Sequence, residues 1–295
     1  MDTTDIIAAS ALKIAEELGA CAIVVSGNVY LDETATDIPI YFASRRPKNI
    51  IDNLVSGNSE DLERTRKVTD EINNQTAGYI EHVEHTAAIE HLIGDLKRGI
   101  IVGIIEAMDS SAIIVHDVSQ SPMLKAIAEC EERVPAGVIR SLLTIALDIA
   151  ETGREGRKVG TAFVVGDAEE VMQRSHQMIL NPYVGHPDED RDVLNRKNWE
   201  SIKEFALLDG VFVVSGEGLI TAAGRYLDID AKDVNIDKGL GGRHVSAAAV
   251  TRDTVAIAVT ISESGGVVRI YMDGKELLCI DSAGRAVRYE QDRQY

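Results

Sequence analysis

The chain has 295 residues, 45% of them hydrophobic and 26% charged, which suits two globular domains of ordinary size and excludes disorder over any long stretch. A formal net charge of -18 excludes general binding to nucleic acid or to an anionic membrane, because both partners would be repelled. No run approaches the roughly 18 apolar residues of a membrane span, and the start Met1-Asp2-Thr3-Thr4-Asp5 lacks the basic flank of a signal peptide, so a soluble, cytoplasmic protein is expected.

Ile7, Ala11, Ile14, Ala15 and Leu18 recur at helical spacing, and Gly19 stands where a left-handed cap residue ends a helix. Cys21 to Val25 reads as a buried strand and Ile38 to Phe42 as another. Helical patterns follow over Ile50 to Val55, Asp61 to Leu96 and Ile101 to Met108, before a strand from Ala112 to His116. The alternation implies a small open α/β domain with at least partly parallel strands. The polar Ser119-Gln120-Ser121-Pro122 then sets a boundary, giving a first domain over 1–120 and a second over 121–295.

In the second domain, Leu124 to Cys130 and Val138 to Ile149 read as helices, Gly153 to Lys158 as a polar turn, and Gly160 to Val165 as a buried strand. Helices are predicted over Glu169 to Ser175 and Trp199 to Leu208. Strands follow at Val211 to Val214, Leu219 to Ala223, Thr254 to Ile261, Val267 to Met272 and Lys275 to Ile280. Asp273-Gly274 is a two-residue hairpin signal between the last two. The fold class is thus α/β throughout, with a mixed sheet flanked by helices in the second domain.

Cys21, Cys130 and Cys279 are odd in number and far apart, which fits buried thiols better than a disulfide frame or a zinc site. His82, His85 and His91 share one predicted helix and read as a solvated face. No Gly-x4-Gly-Lys-Ser/Thr segment exists and Gly216-Glu217-Gly218 lacks a third glycine, so P-loop and Rossmann sites are excluded. The chemistry concentrates instead in Lys238 to Ala249, read as a glycine-rich phosphate-handling loop on a sheet. There the backbone of Gly241 and Gly242 allows close approach and Arg243-His244 offers donors to phosphate. Asp209 at the start of a strand is a candidate ligand for a hard divalent ion, with Gly210 letting backbone come close. In so acidic a chain, any nucleotide site must be an electropositive exception.

Asp209-Gly210-Val211 and Arg243-His244-Val245, within Gly239-Leu-Gly-Gly-Arg-His, resemble the Asp-Gly-Ala and Arg-His-Arg marks of the diadenylate cyclase family. Gly160-Thr-Ala-Phe-Val-Val-Gly-Asp167, Leu180-Asn-Pro-Tyr183, Ile202 to Gly210 and Ser262-Glu263 extend the likeness over about Glu151 to Gly266. The order of domains resembles the archaeal members. Residues from Ile6 to about Val118 resemble the carboxy-terminal domain of pyruvate kinase, and the helix-hairpin-helix tail of DNA-scanning members has no counterpart. The resemblance implies that two ATP are joined into cyclic di-AMP with Mg²⁺ or Mn²⁺, by two domains facing each other in a homo-oligomer. It places Asp209 and Glu263 on metal, Arg243, His244 and Ser246 on phosphate, Ser262 beside Glu263, and adenine near Tyr226 and Leu227. Val245 and Gly242 depart from the motif, where an Arg and a Thr are usual, and leave a second reading open: a nucleotide-binding sensor or assembly subunit without turnover.

Overall fold

The computed structural model describes residues 3–27, 29, 31, 36–43, 80, 83–91, 99–107, 110–154, 157–232, 234, 240–263, 266–281 and 286–288. The predicted helix over Ile50 to Val55 and most of that over Asp61 to Leu96 lie outside these residues, as do His82, Lys238, Gly239, Ser264 and Gly265. The chain divides into two units after Ser121, and the last described strand returns to the first.

In the first unit, β1 (Ala22–Ser26) is buried at every position and lies between two parallel neighbours, β2 (Ile40–Ala43) and β3 (Ile100–Ala107). Continuous burial is what a strand covered on both faces requires. β4 (Ser110–Asp117) pairs antiparallel with β3, and β12 (Ala286–Arg288) pairs antiparallel with β2, for the order β12-β2-β1-β3-β4. Helix α1 (Thr3–Leu18) sets Ala8, Ala11 and Ala15 against Ile23, Val25, Val102 and Ile104, and ends at Gly19 with φ 60°. The helix expected over Ile101 to Met108 is instead strand β3. Its run of Ile and Val is apolar at nearly every position, so helical spacing is met trivially, while branching at Cβ favours the extended chain. His91 corrects the reading of a solvated histidine face, because it is buried on the helix over 83–91.

The second unit holds a seven-stranded mixed sheet whose strands run, from one edge to the other, Lys275–Asp281, Val267–Met272, Ile257–Ile261, Thr161–Gly166, Val211–Ser215, Ile220–Leu227 and Ser175–Gln177. Its centre is β5 (Thr161–Gly166), parallel to β7 (Val211–Ser215) and antiparallel to β9 (Ile257–Ile261). Beyond β7 run β8 (Ile220–Leu227) and β6 (Ser175–Gln177); beyond β9 run β10 (Val267–Met272) and β11 (Lys275–Asp281). Alternation assigns Ala162, Val164, Val211, Val213, Ala258 and Tyr271 to one face, where they meet Ala247, Ala248 and Val250 of a helix over Gly242–Asp253. Phe163, Val165, Phe212, Val214, Ile257 and Val259 point the other way and are also buried, with the helix Ala136–Thr152 packed along β9 and β10. The two-residue turn between β10 and β11 is present, with φ 53° at Asp273 and 76° at Gly274, the conformation a type I′ hairpin requires. Cys279 is exposed on β11, which corrects the expectation of three buried thiols, and no two cysteines are joined. Among the described residues no helix is long and apolar enough to cross a membrane.

Gly103 is where the first sheet admits its covering helix: a Cβ there would lie 2.5 Å from Ile114 Cγ1 and 2.7 Å from Val83 Cγ1. Gly103→Val overpacks this contact and should lower the urea-unfolding free energy by about 1–3 kcal/mol. Unchanged stability would contradict the packing described.

Candidate active site

The residues singled out in the sequence meet in one cleft of about 1090 Å³ at one end of the central strands of the second sheet, a volume that suits a nucleotide-sized ligand. The cleft opens at the amino ends of β5 and β7, where Thr161 faces Ile261 in register and Asp209-Gly210 leads into Val211. Ligands of open parallel sheets gather at the carboxyl ends of strands. Here a single parallel pair is present, and the ligand-facing groups come from the opposite end.

The stretch expected to be a loop on a sheet is the start of a helix, Gly242–Asp253, with Gly241 as its cap residue. Ala247, Ala248 and Val250 press it closely onto the sheet. Glycines at its start hide the helical pattern in the sequence, which is why the element is missed there. Gly241, Gly242, Arg243, His244 and Ser246 all line the cleft from this first turn, and a Cβ on Gly241 or Gly242 would meet nothing within 4 Å. The first backbone N–H groups of a helix have no partner within it and carry partial positive charge, so this end receives anions.

Arg243 Nη2 donates to Asp209 Oδ1 at 3.1 Å, and the Gly210 N–H donates to the same oxygen at 2.9 Å. Asp209 is 73% exposed, so this pair contributes at most about 1 kcal/mol and serves chiefly to place the two groups. Gly210 has φ 105°, and a Cβ on it would sit 2.7 Å from the backbone of Arg225. Only glycine lets the Asp209 turn lie against β8. Gly160 plays the same part on the other wall, since a Cβ there would be 3.0 Å from Arg243 Nη1 and 3.1 Å from Glu263 Cβ. Ser262 and Glu263 continue β9 into the cleft, with the Ser262 N–H donating to Val267 O at 2.9 Å.

His244 is buried, with Nδ1 3.0 Å from Thr260 Oγ1 and 3.2 Å from Tyr271 Oη. Burial, with Arg269 and Arg243 nearby, pushes its pKa down to about 4. It is neutral near pH 7, so what it offers is hydrogen bonding rather than charge. Ser246 donates its hydroxyl back to Gly242 O at 3.1 Å and Arg243 O at 3.2 Å. Tyr226 lines the cleft at 55% exposure, while Leu227 lines it from the core at 5%.

Sequence reasoning missed Arg157, Lys158 and Arg225. Arg225 is buried and structural: Nε donates to Ser175 Oγ at 2.8 Å and Nη2 to Met172 O at 2.9 Å, tying β8 to the edge strand β6. Arg157-Lys158 had a signal, a basic pair just before a strand in an acidic chain. With Arg225 and Arg243 these give the cleft four cations against the carboxylates of Asp209 and Glu263, a local balance of +2 in a chain of -18. Val245, where the motif has Arg, does not line the cleft. Among the described residues no three His, Cys, Asp or Glu groups converge on a metal position. Two carboxylates on one cleft fit an ion such as Mg²⁺, which keeps waters and takes its remaining oxygens from phosphate.

Because folding lowers the His244 pKa from 6.5 to about 4, the unfolded chain takes up this proton first. Stability attributable to it is present above about 6.5 and is lost as pH falls toward about 4. Of the seven imidazoles in an NMR titration, that of His244 should stay neutral down to about pH 5. A midpoint near 6.5 would contradict its burial.

Residues 6–119 match the family described as a probable sensor domain, DacZ_A, and residues 148–276 match the family described as DisA bacterial checkpoint controller nucleotide-binding, DAC. A Methanocaldococcus jannaschii protein named diadenylate cyclase is 45% identical over 137 residues, covering 46% of this chain and 43% of that one. A Haloferax volcanii protein of the same name is 43% identical over 155 residues, covering 50% of this chain and 54% of that one. The chain spans about half the length of the curated relatives it matches. A crystal structure of DacA from Staphylococcus aureus aligns with a TM-score of 0.33 at 20% identity, over 47% of this chain and 83% of that one, which is too low to assign a fold. The chain thus carries a segment that matches the DAC family, residues 148–276, preceded by one that matches the DacZ_A family, residues 6–119.

Proposed function

We propose that the protein is a diadenylate cyclase, joining two ATP into cyclic di-AMP and releasing two pyrophosphates. The observation that carries this reading is the meeting of Asp209 and Arg243 in one cleft whose charge is opposite to that of the chain. A tetra-anionic nucleotide has reason to enter there, against the repulsion of so acidic a chain. The names of the archaeal relatives support the same activity. In this reading the nucleotide domain is the second unit, Pro122–Ala283, and the DacZ_A segment precedes it; the predicted span 121–295 also took in the last strand, which returns to the first unit.

Each cleft holds one ATP, and two clefts face each other across a homo-oligomer. Each ribose 3′-hydroxyl oxygen bonds to the α-phosphorus of the opposite nucleotide as the bond from that phosphorus to pyrophosphate breaks, and the hydroxyl proton leaves to a carboxylate or water. Placing two bound reactants in line is worth roughly 7–11 kcal/mol, so the chain contributes mainly by position. Arg243 exchanges its contact with Asp209 for phosphate, supported by the amides of Gly241 and Gly242 at the helix start. Asp209 and Glu263 would hold Mg²⁺ or Mn²⁺, which when bound offsets phosphate charge and acidifies the hydroxyl. Ser262 flanks Glu263 at the end of β9, and Ser246 accepts water or ribose while its proton stays on the helix. Tyr226, half-exposed on the cleft wall, stacks on adenine above the apolar Leu227, with the backbone of Gly210 and Val211 forming the floor.

Incubation of the purified protein with ATP and Mn²⁺ should yield cyclic di-AMP by mass spectrometry. ATP binding without that product at high enzyme concentration would favour the non-catalytic sensor and contradict this reading. Asp209→Asn and Arg243→Ala should each lower the rate by about 10²–10³ with the fold intact by circular dichroism. Full activity in either variant would remove that residue from the site.

A further inference from the structure

Four cations line the cleft, and two of them are already committed. Arg225 is buried among Ser175, Met172 and Gln177, and Arg243 is paired with Asp209. The other two, Arg157 and Lys158, are exposed. Among the described residues Arg157 donates no side-chain hydrogen bond and joins no ion pair, while Lys158 Nζ makes one long contact, 3.5 Å to Ala150 O.

Their backbone is nonetheless held in place. Arg154 N donates to Arg157 O at 2.9 Å and Arg157 N donates back to Arg154 O at 2.8 Å, closing the turn on itself. Gly153, at φ 62°, lies so close that a Cβ would be 2.2 Å from Arg157 O. The Arg154 guanidinium pins the turn to the helix Trp199–Phe205 through Glu200, at 3.1 Å, and Glu204. Fixed backbone beneath uncommitted cations is the arrangement of a preorganised anion site, because little order has to be imposed when the anion arrives. Gly160, two residues on, brings the same wall against Arg243.

We infer that Arg157 and Lys158 form the subsite for the β- and γ-phosphates, the part of the nucleotide that leaves as pyrophosphate. The inference rests on the cyclase reading and adds what sets the preference for a triphosphate. Arg243 and the helix start serve the phosphate that is attacked; Arg157 and Lys158 serve the leaving group, whose charge grows as its bond to the α-phosphorus breaks. The pair therefore reads the number of phosphates and is indifferent to the base.

The test measures affinity rather than turnover, using 3′-deoxy-ATP, which lacks the attacking hydroxyl, AMP, and inorganic pyrophosphate, each by calorimetry. Arg157→Ala, and Lys158→Ala as a second variant, should weaken 3′-deoxy-ATP and pyrophosphate by about tenfold or more while AMP stays within about twofold. Arg157→Lys should recover part of the loss. Equal losses for AMP and 3′-deoxy-ATP, or no loss for either, would overturn the assignment. Cyclic di-AMP formation by the unaltered protein is scored separately, so the subsite can fail while the cyclase reading stands.

Discussion

Arg243 reaching Asp209 across 34 residues of sequence is the contact around which the site is arranged. It is weak as a stabilising interaction, being largely exposed, and its importance is positional. Three features bring it about: a helix pressed onto the sheet by Ala247 and Ala248, a turn at Gly210 that no side chain could replace, and a gap at Gly160 that lets Arg243 and Glu263 approach the start of β5. Each is a place where a missing or small side chain lets backbone come closer. Charged groups are then carried into register by packing that is itself apolar.

The same constraint explains the electrostatics. A chain of -18 repels polyphosphates almost everywhere, so attraction has to be local, and a balance of +2 within one cleft makes it so. His244 takes no share in that charge. Its imidazole is turned inward to Thr260 and Tyr271, where burial keeps it neutral and where it fixes the first turn of the helix beneath the cations.

Much of this was legible in the sequence where one residue dictates the local outcome. Asp273-Gly274 gave its hairpin because a two-residue turn with positive φ admits few residue types, and Gly19 marked the end of α1 for the same reason. Asp209 and Arg243 stood out because cation, carboxylate and glycine are costly choices without a use. What stayed hidden depended on context. Ile100 to Ala107 is apolar at nearly every position, so its period carries little information, and only burial between β1 and β4 makes it a strand. The helix at Gly242 is masked by the glycines that open it, and Arg157-Lys158 looks like an ordinary polar turn until the cleft at the strand ends beside it is known.

In the proposed reaction one cleft serves one of the two nucleotides, and the other nucleotide is held by a second copy of the chain. The order of the reaction in enzyme measures this directly. With ATP saturating and the protein diluted below its self-association constant, the rate of cyclic di-AMP formation should rise as the square of protein concentration, with specific activity falling on dilution. Specific activity that stays constant down to a demonstrably monomeric protein would contradict it.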